Sequence, residues 1–177
     1  GTNEYPFLID TDGISVLPVS SMALQHAAPL ERVSSGVARL DEMLGGKGYY
    51  RGSTILVSGT AGTGKTSLAA HFLDAACRRG EGCLCFLFEE SPQQLLRNMR
   101  SIGIDLEPWV ESGVLQFHAD RPSRYGLETH LVTMHQVVAS FRPTVTVIDP
   151  VTNLMTVGTL ADVQAMLTRM FDHLRTE

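Results

Sequence analysis

The residues from Gly59 to Thr66 have the types and spacing needed to bind phosphate. They match the pattern G-x-x-x-x-G-K-T of phosphate-binding P-loops. Glycines permit the tight turns that bring backbone N–H groups close to phosphate oxygens. In such loops the lysine neutralises charge on the β- and γ-phosphates, and the threonine hydroxyl binds Mg²⁺. We expect Lys65 and Thr66 to have these roles. The predicted nucleotide contacts are Gly59, Thr60, Ala61, Gly62, Thr63, Gly64, Lys65, Thr66 and Ser67.

A candidate for the second metal contact is Asp149. It follows the apolar run Val145–Ile148, which is typical of a buried strand. Ligands of open parallel sheets bind at the carboxyl ends of the strands. We therefore predict that Asp149 holds Mg²⁺ together with Thr66. The alternative is that Asp149 only caps the element that follows it.

Two adjacent acids, Glu89 and Glu90, end another apolar run, Cys83–Phe88. The same argument places them at the nucleotide crevice. One carboxylate is expected to take a proton from a water or hydroxyl that attacks in line, and its neighbour to raise its proton affinity. With Lys65 they form the predicted catalytic set. The alternative is that both acids are solvated and favoured by a helix N-terminus.

A positive charge for the transition state is not assigned from the sequence. The candidates are Arg97, Arg100, Arg121 and Arg124, and each is more typical of a surface residue. A neighbouring subunit often supplies this charge in ring ATPases.

The elements around these residues alternate between strand and helix. An apolar run at 54–57 predicts a strand before the P-loop, and an amphipathic stretch at 65–79 predicts a helix after it. Ser91 followed by Pro92 predicts the start of another helix. Such alternation favours an α/β fold with a mostly parallel sheet and right-handed crossovers. Further helices are predicted around 36–44, 127–141 and 163–174, and a strand at 114–117.

Composition limits the class of protein. The chain has 177 residues, and its net charge of −5 argues against a large nucleic-acid footprint. No apolar run approaches the length of a membrane span. Three cysteines without framework spacing fit a reducing, cytoplasmic environment. Cys83 and Cys85 lie in a strand pattern without a second ligand pair, which disfavours a metal site there.

Several segments together resemble a known family, KaiC. They are residues 33–46, the P-loop at 59–66, residues 88–91 and 94–98, and residues 126–131. KaiC is the RecA-type circadian clock ATPase and autokinase, and the resemblance is best to its second ATPase domain. It runs through nearly the whole chain. The resemblance implies a RecA-like P-loop NTPase fold.

The resemblance also implies an assembly and a domain plan. It implies a homohexamer with ATP at subunit interfaces, KaiA-like or KaiB-like partners, and Glu89 and Glu90 as the catalytic acids. Residues 1–35 are expected to be the end of a preceding domain and a linker with an extended arm. Residues 36–177 are expected to be an ATPase domain that is incomplete at its C-terminus, with the phosphorylated Ser/Thr pair beyond Glu177. The sequence differs from members of the family at two places. Some relatives carry Trp near the nucleotide base where this chain has Ile102, and residues 47–51 also differ.

Three functions remain open from the sequence. The first is an ATP-hydrolysing ring that phosphorylates its own Ser/Thr residues. A close alternative is a RecA-like ATPase without kinase activity that acts as a nucleotide-gated ring scaffold. The third is a DNA-binding motor on the same core, which acidic charge and the absence of basic-aromatic clusters disfavour.

Overall fold

The computed structural model describes residues 7–10, 13–16 and 29–176, which form an α/β arrangement. The strands are β1 (Phe7–Asp10), β2 (Gly13–Val16), β3 (Arg32–Val33), β4 (Tyr49–Tyr50), β5 (Cys83–Leu87), β6 (Leu115–Ala119) and β7 (Val145–Asp149). The α-helices are α1 (Ala38–Met43), α2 (Lys65–Arg78), α3 (Pro92–Ser101), α4 (Glu107–Glu111), α5 (Leu127–Phe141) and α6 (Leu160–Thr176). Two 3₁₀ helices span Pro122–Arg124 and Val151–Thr156.

The described residues fall into two compact units. The sheet unit contains residues 29–119 and 143–149, and the helical unit contains residues 7–10, 13–16, 120–142 and 150–176.

The centre of the sheet unit is the parallel sheet β6-β5-β7. Every residue of β5 is buried, which explains why its sequence is a continuous apolar run and does not alternate with polar residues. Leu87 of β5 is in register with Ala119 of β6 and Asp149 of β7. The three strands therefore end at the same level, and the predicted parallel sheet is confirmed.

Helices α2 and α3 cover this sheet with the side chains that their periodicity predicts. From α2, Ala70, Leu73 and Ala76 enter the core, and from α3, Leu95 and Met99 do so. This apolar contact fixes the start of α2, and hence the end of the P-loop, relative to the strand ends.

The start of α3 is fixed by its own sequence. The Ser91 Oγ accepts a hydrogen bond from the Gln94 backbone N–H at 3.3 Å, and the Gln94 Oε1 accepts one from the Ser91 N–H at 2.9 Å. These reciprocal bonds form a capping box, with Pro92 in the first helical turn. The prediction of a helix start at Ser91–Pro92 is confirmed.

The predicted strand at residues 54–57 is wrong. This segment forms no strand, and Ile55, Leu56 and Val57 are 48%, 78% and 42% exposed. A strand requires a backbone partner, and among the described strands β7 pairs only with β5. An apolar run in the sequence records side-chain character but does not show which strand would pair with it.

The helical unit is built from α5 and α6, which pack against each other, and the antiparallel hairpin of β1 and β2. The helices predicted around 127–141 and 163–174 are confirmed. Strands β1 and β2 lie within residues 1–35, the segment that is expected to be the end of a preceding domain and an extended arm, and residues 1–6, 11–12 and 17–28 of that segment lie outside the described residues. The buried apolar side chains of the two helices are Leu127, Leu131, Val132, Met134, Val138, Val163, Met166 and Met170.

None of the helices found in the described ranges is both long and apolar enough to cross a bilayer.

The loop between β3 and α1 approaches α2 closely at Gly36. Asp41 holds this loop, because its carboxylate accepts hydrogen bonds from the Ser34 hydroxyl at 2.5 Å and the Ser35 N–H at 2.8 Å. Gly36 has φ +82°, and a Cβ there would overlap the carbonyl group of His71 in α2. Only glycine satisfies both the backbone conformation and this close approach.

We expect Gly36→Ala to destabilise the protein more than its matched control, Gly45→Ala. Gly45 has nearly the same φ, +79°, but a Cβ added there would have nothing within 4 Å. The control should lose about 1 kcal/mol of unfolding free energy from conformation alone. Gly36→Ala should lose about 1–3 kcal/mol more from the clash. Denaturant unfolding measures both, and equal losses would contradict the close approach.

A second stability prediction concerns the histidines of the helical unit. The rings of His135 and His173 stack with centroids 4.0 Å apart. Burial, with a further contribution from His173, lowers the pKa of His135 from 6.5 to about 4. The unfolded chain therefore takes up a proton at this position between about pH 6.5 and 4 that the folded protein resists. The contribution of neutral His135 to the free energy of unfolding is therefore fully present above pH 6.5 and is lost as the pH falls from about 6.5 to about 4.

His135→Phe keeps a stacked ring but removes this proton uptake. Thermal unfolding of the variant should depend less on pH between about 7 and about 4.5 than unfolding of the parent protein. Identical pH dependence in the two proteins would show that His135 does not contribute.

Candidate nucleotide site at the sheet edge

The P-loop connects residue 59 to the first turn of α2 and is exposed throughout its glycine-rich part. Gly62 and Gly64 have φ values of +79° and +85°. Gly64 is the N-cap of α2, and no side chain caps the helix. The N–H groups of the first helical turn, which lack partners within a helix, are thus available to an anion at the positive end of the helix dipole.

Lys65 and Thr63 contact the loop itself. The Lys65 Nζ donates hydrogen bonds to the carbonyl oxygens of Gly59 at 3.0 Å and Thr60 at 2.8 Å. The Thr63 Oγ1 donates to the Thr60 carbonyl at 2.9 Å. A phosphate that binds in the loop would compete with these two carbonyl oxygens for the N–H donors of the Lys65 ammonium group.

Thr66 and Asp149 meet at the sheet edge. The Thr66 Oγ1 donates a hydrogen bond to the Asp149 Oδ2 at 2.7 Å, although 83 positions separate the two residues in the chain. The Asp149 carboxylate is thus engaged by α2, and the 3₁₀ helix that follows at Val151–Thr156 has no side-chain cap. A hydroxyl and a carboxylate side by side are the oxygen ligands that Mg²⁺ prefers, so the residues present fit this ion.

Glu89 and Glu90 lie one step beyond the same edge. The Phe88 N–H donates to the Asp149 carbonyl at 3.0 Å, so the pairing of β5 and β7 continues up to the two acids. Glu89 is exposed, whereas Glu90 is partly buried. The structure thus distinguishes two carboxylates that the sequence treated alike.

The surroundings of Glu90 favour the protonated form of its carboxyl group. Burial raises the pKa of Glu90, and the charges of Asp149 and Glu89 add to this increase. A hydrogen bond from the Asn98 Nδ2 to the Glu90 Oε2, at 3.1 Å, acts in the opposite direction. The prediction from sequence did not include Asn98. The sequence signal that could have indicated Asn98 is its position on α3, the helix that begins two residues after Glu90.

The arginine candidates have other contacts in the structure. Arg100 is paired with Asp105 at 3.2 Å and with Glu107. The Arg97 side chain donates to the Asn98 Oδ1. Arg121 and Arg124 belong to the helical unit, where Arg124 lies 3.8 Å from Asp120. These contacts assign none of the four to the transition-state charge.

The geometry defines a class of protein. A glycine-rich loop at a helix N-terminus, with a hydroxyl–carboxylate pair at the carboxyl edge of a parallel sheet, is typical of P-loop nucleotide-binding proteins. The comparison with known families specifies this further.

The family model described as "ATPase: KaiC" matches residues 33–177. The chain is 53% identical over 175 residues, 99% of its length, to the circadian clock protein KaiC2 of Synechocystis. It is 44% identical over 151 residues, 85% of its length, to the circadian clock oscillator proteins KaiC of Parathermosynechococcus lividus and Acaryochloris marina. The chain therefore belongs to the KaiC ATPase family, which has the RecA-like P-loop fold and binds nucleotide.

The chain spans about a third of the length of these relatives, since it covers 31%, 28% and 29% of them. The similarity thus concerns one ATPase region of proteins that are much longer.

Proposed function

We propose that this chain binds ATP with Mg²⁺ and hydrolyses it, and that the protein phosphorylates its own Ser/Thr residues as a KaiC-like circadian clock protein. The observation that carries the proposal is the 2.7 Å hydrogen bond between Thr66 and Asp149 at the edge where Glu89 and Glu90 also lie. Membership of the KaiC ATPase family supports it.

The P-loop supplies the binding part of this function. Backbone N–H groups of residues 59–66 and the Lys65 ammonium bind the phosphate oxygens of ATP. Thr66 and Asp149 would hold Mg²⁺, which supplies charge neutralisation on the β- and γ-phosphates when bound. Lys65 exchanges its two loop carbonyls for phosphate oxygens as the nucleotide enters.

Glu90 is assigned the role of general base, and Glu89 supplies a second negative charge beside it. Glu90 accepts the proton of an attacking O–H group while that oxygen forms a bond to the γ-phosphorus. The bond from the γ-phosphorus to the bridging oxygen breaks, and ADP leaves. Attack by water releases phosphate, and attack by a Ser or Thr hydroxyl leaves a phosphorylated residue. One set of groups thereby serves hydrolysis and self-phosphorylation.

The proposed setting is a cytoplasmic homohexamer with ATP at subunit interfaces and KaiA-like or KaiB-like partners. The names of the relatives, which are circadian clock proteins, support the clock context. Cys77, Cys83 and Cys85 are free thiols, which fits a reducing compartment. The net charge of −5 supports a protein without a nucleic-acid partner.

The test follows the γ-phosphate of labelled Mg-ATP in the full-length protein, with Lys65→Ala as the variant. We expect label in free phosphate and on the protein. In Lys65→Ala the label on the protein should fall by at least about a hundredfold, because the phosphate charge is no longer neutralised, and free phosphate should fall to the amount that the other ATPase domain of the full-length protein releases.

Equal labelling of parent and variant would contradict the proposed site. Label in free phosphate alone, still dependent on Lys65, would replace the autokinase with the alternative of a RecA-like ATPase without kinase activity.

A further inference from the structure

The two acids at the sheet edge differ in how they are held. Glu90 accepts the hydrogen bond from Asn98, which lies eight positions later on α3. The capping box of Ser91 and Gln94 fixes the start of this helix directly after Glu90. The distance between the Glu90 backbone and Asn98 is therefore set by a rigid, capped helix and does not depend on a loop.

The orientation of the Asn98 amide is also determined. The Asn98 Oδ1 accepts from the Arg97 Nε at 3.4 Å and from a terminal guanidinium nitrogen at 3.2 Å. A guanidinium group can only donate hydrogen bonds, and a carboxylate can only accept them. Only one orientation of the amide satisfies both neighbours, with the oxygen towards Arg97 and the NH₂ group towards Glu90.

We infer that Asn98 is a positioning residue for the proposed hydrolysis of ATP: it holds the Glu90 carboxylate in place, and Arg97 sets the direction of the Asn98 amide. This inference rests on the proposed function, because Glu90 is the proposed base. The Asn98 amide acts through Glu90, since its hydrogen bonds run to Glu90 and Arg97. Its loss should therefore affect turnover and leave nucleotide binding nearly unchanged.

The hydrogen bond from Asn98 also affects the pKa of Glu90. Burial, Asp149 and Glu89 raise the pKa of Glu90, whereas Asn98 and Arg97 lower it. Asn98 thus offsets part of the repulsion that Glu90 experiences beside two other acids. A carboxylate in place of the amide would keep the shape of the side chain and its contact with Arg97 but would repel Glu90.

The experiment measures steady-state hydrolysis of Mg-ATP by the full-length protein and its variants, and the hydrolysis that Lys65→Ala retains is subtracted from each. Asn98→Ala should lower kcat about tenfold or more, because a misplaced base is costly, with the KM for ATP changed less than about twofold. Asn98→Asp should lower kcat further. The matched control is Gln93→Ala, which changes an exposed residue of the same helix and should hydrolyse ATP like the parent.

A double-mutant cycle separates positioning from a general effect on the fold. Asn98→Ala should have almost no further effect on kcat in a Glu90→Gln protein, whereas it has its full effect in the parent. Thermal unfolding of each variant records any loss of folded protein separately.

The inference is overturned if Asn98→Ala matches Gln93→Ala, if its effect falls on KM, or if it costs as much in the Glu90→Gln background as in the parent. In each of these cases the proposed function still stands if the parent protein hydrolyses ATP and this hydrolysis depends on Lys65. A parent protein that releases no phosphate would overturn the proposed function and this inference together.

Discussion

The hydrogen bond between Thr66 and Asp149 is the contact on which the rest of the site depends. It joins the first turn of α2 to the last residue of β7, two positions that are 83 residues apart in sequence. Because the Thr66 hydroxyl belongs to the residue after Lys65, this bond also fixes where the P-loop meets the sheet. Ala70, Leu73 and Ala76 of α2 are buried in the core, and their packing holds the helix in the position that the bond requires.

The parallel register brings the acids to the same place. Leu87 and Asp149 are level in adjacent strands, and the Phe88–Asp149 bond extends this pairing to the two glutamates. Three carboxylates thus lie at the same edge of the sheet, at a cost in mutual repulsion. Burial raises the pKa of Glu90, and the charges of Asp149 and Glu89 add to the increase. A carboxylate whose pKa moves towards neutral is better suited to proton abstraction at physiological pH.

Much of the secondary structure was predictable from signals within a few residues of the sequence. The capping box at Ser91, the buried run of β5 and the 3.6-residue spacing in α5 each have a cause within a few residues, and the structure contains all three elements. The segment at 54–57 failed because pairing depends on a partner strand that its own residues do not specify. The Asn98–Glu90 contact was missed for a similar reason, since an exposed Asn on a helix has no pattern of its own.

The most direct test of this site is a structure of the full-length protein with Mg²⁺ and a non-hydrolysable ATP analogue. We expect the γ-phosphate on the loop of residues 59–66, the Lys65 Nζ moved from the Gly59 and Thr60 carbonyls to phosphate oxygens, and the ion next to Thr66 and Asp149. A nucleotide bound elsewhere, with Lys65 still on its loop carbonyls, would show that the Thr66–Asp149 edge is not the phosphate site.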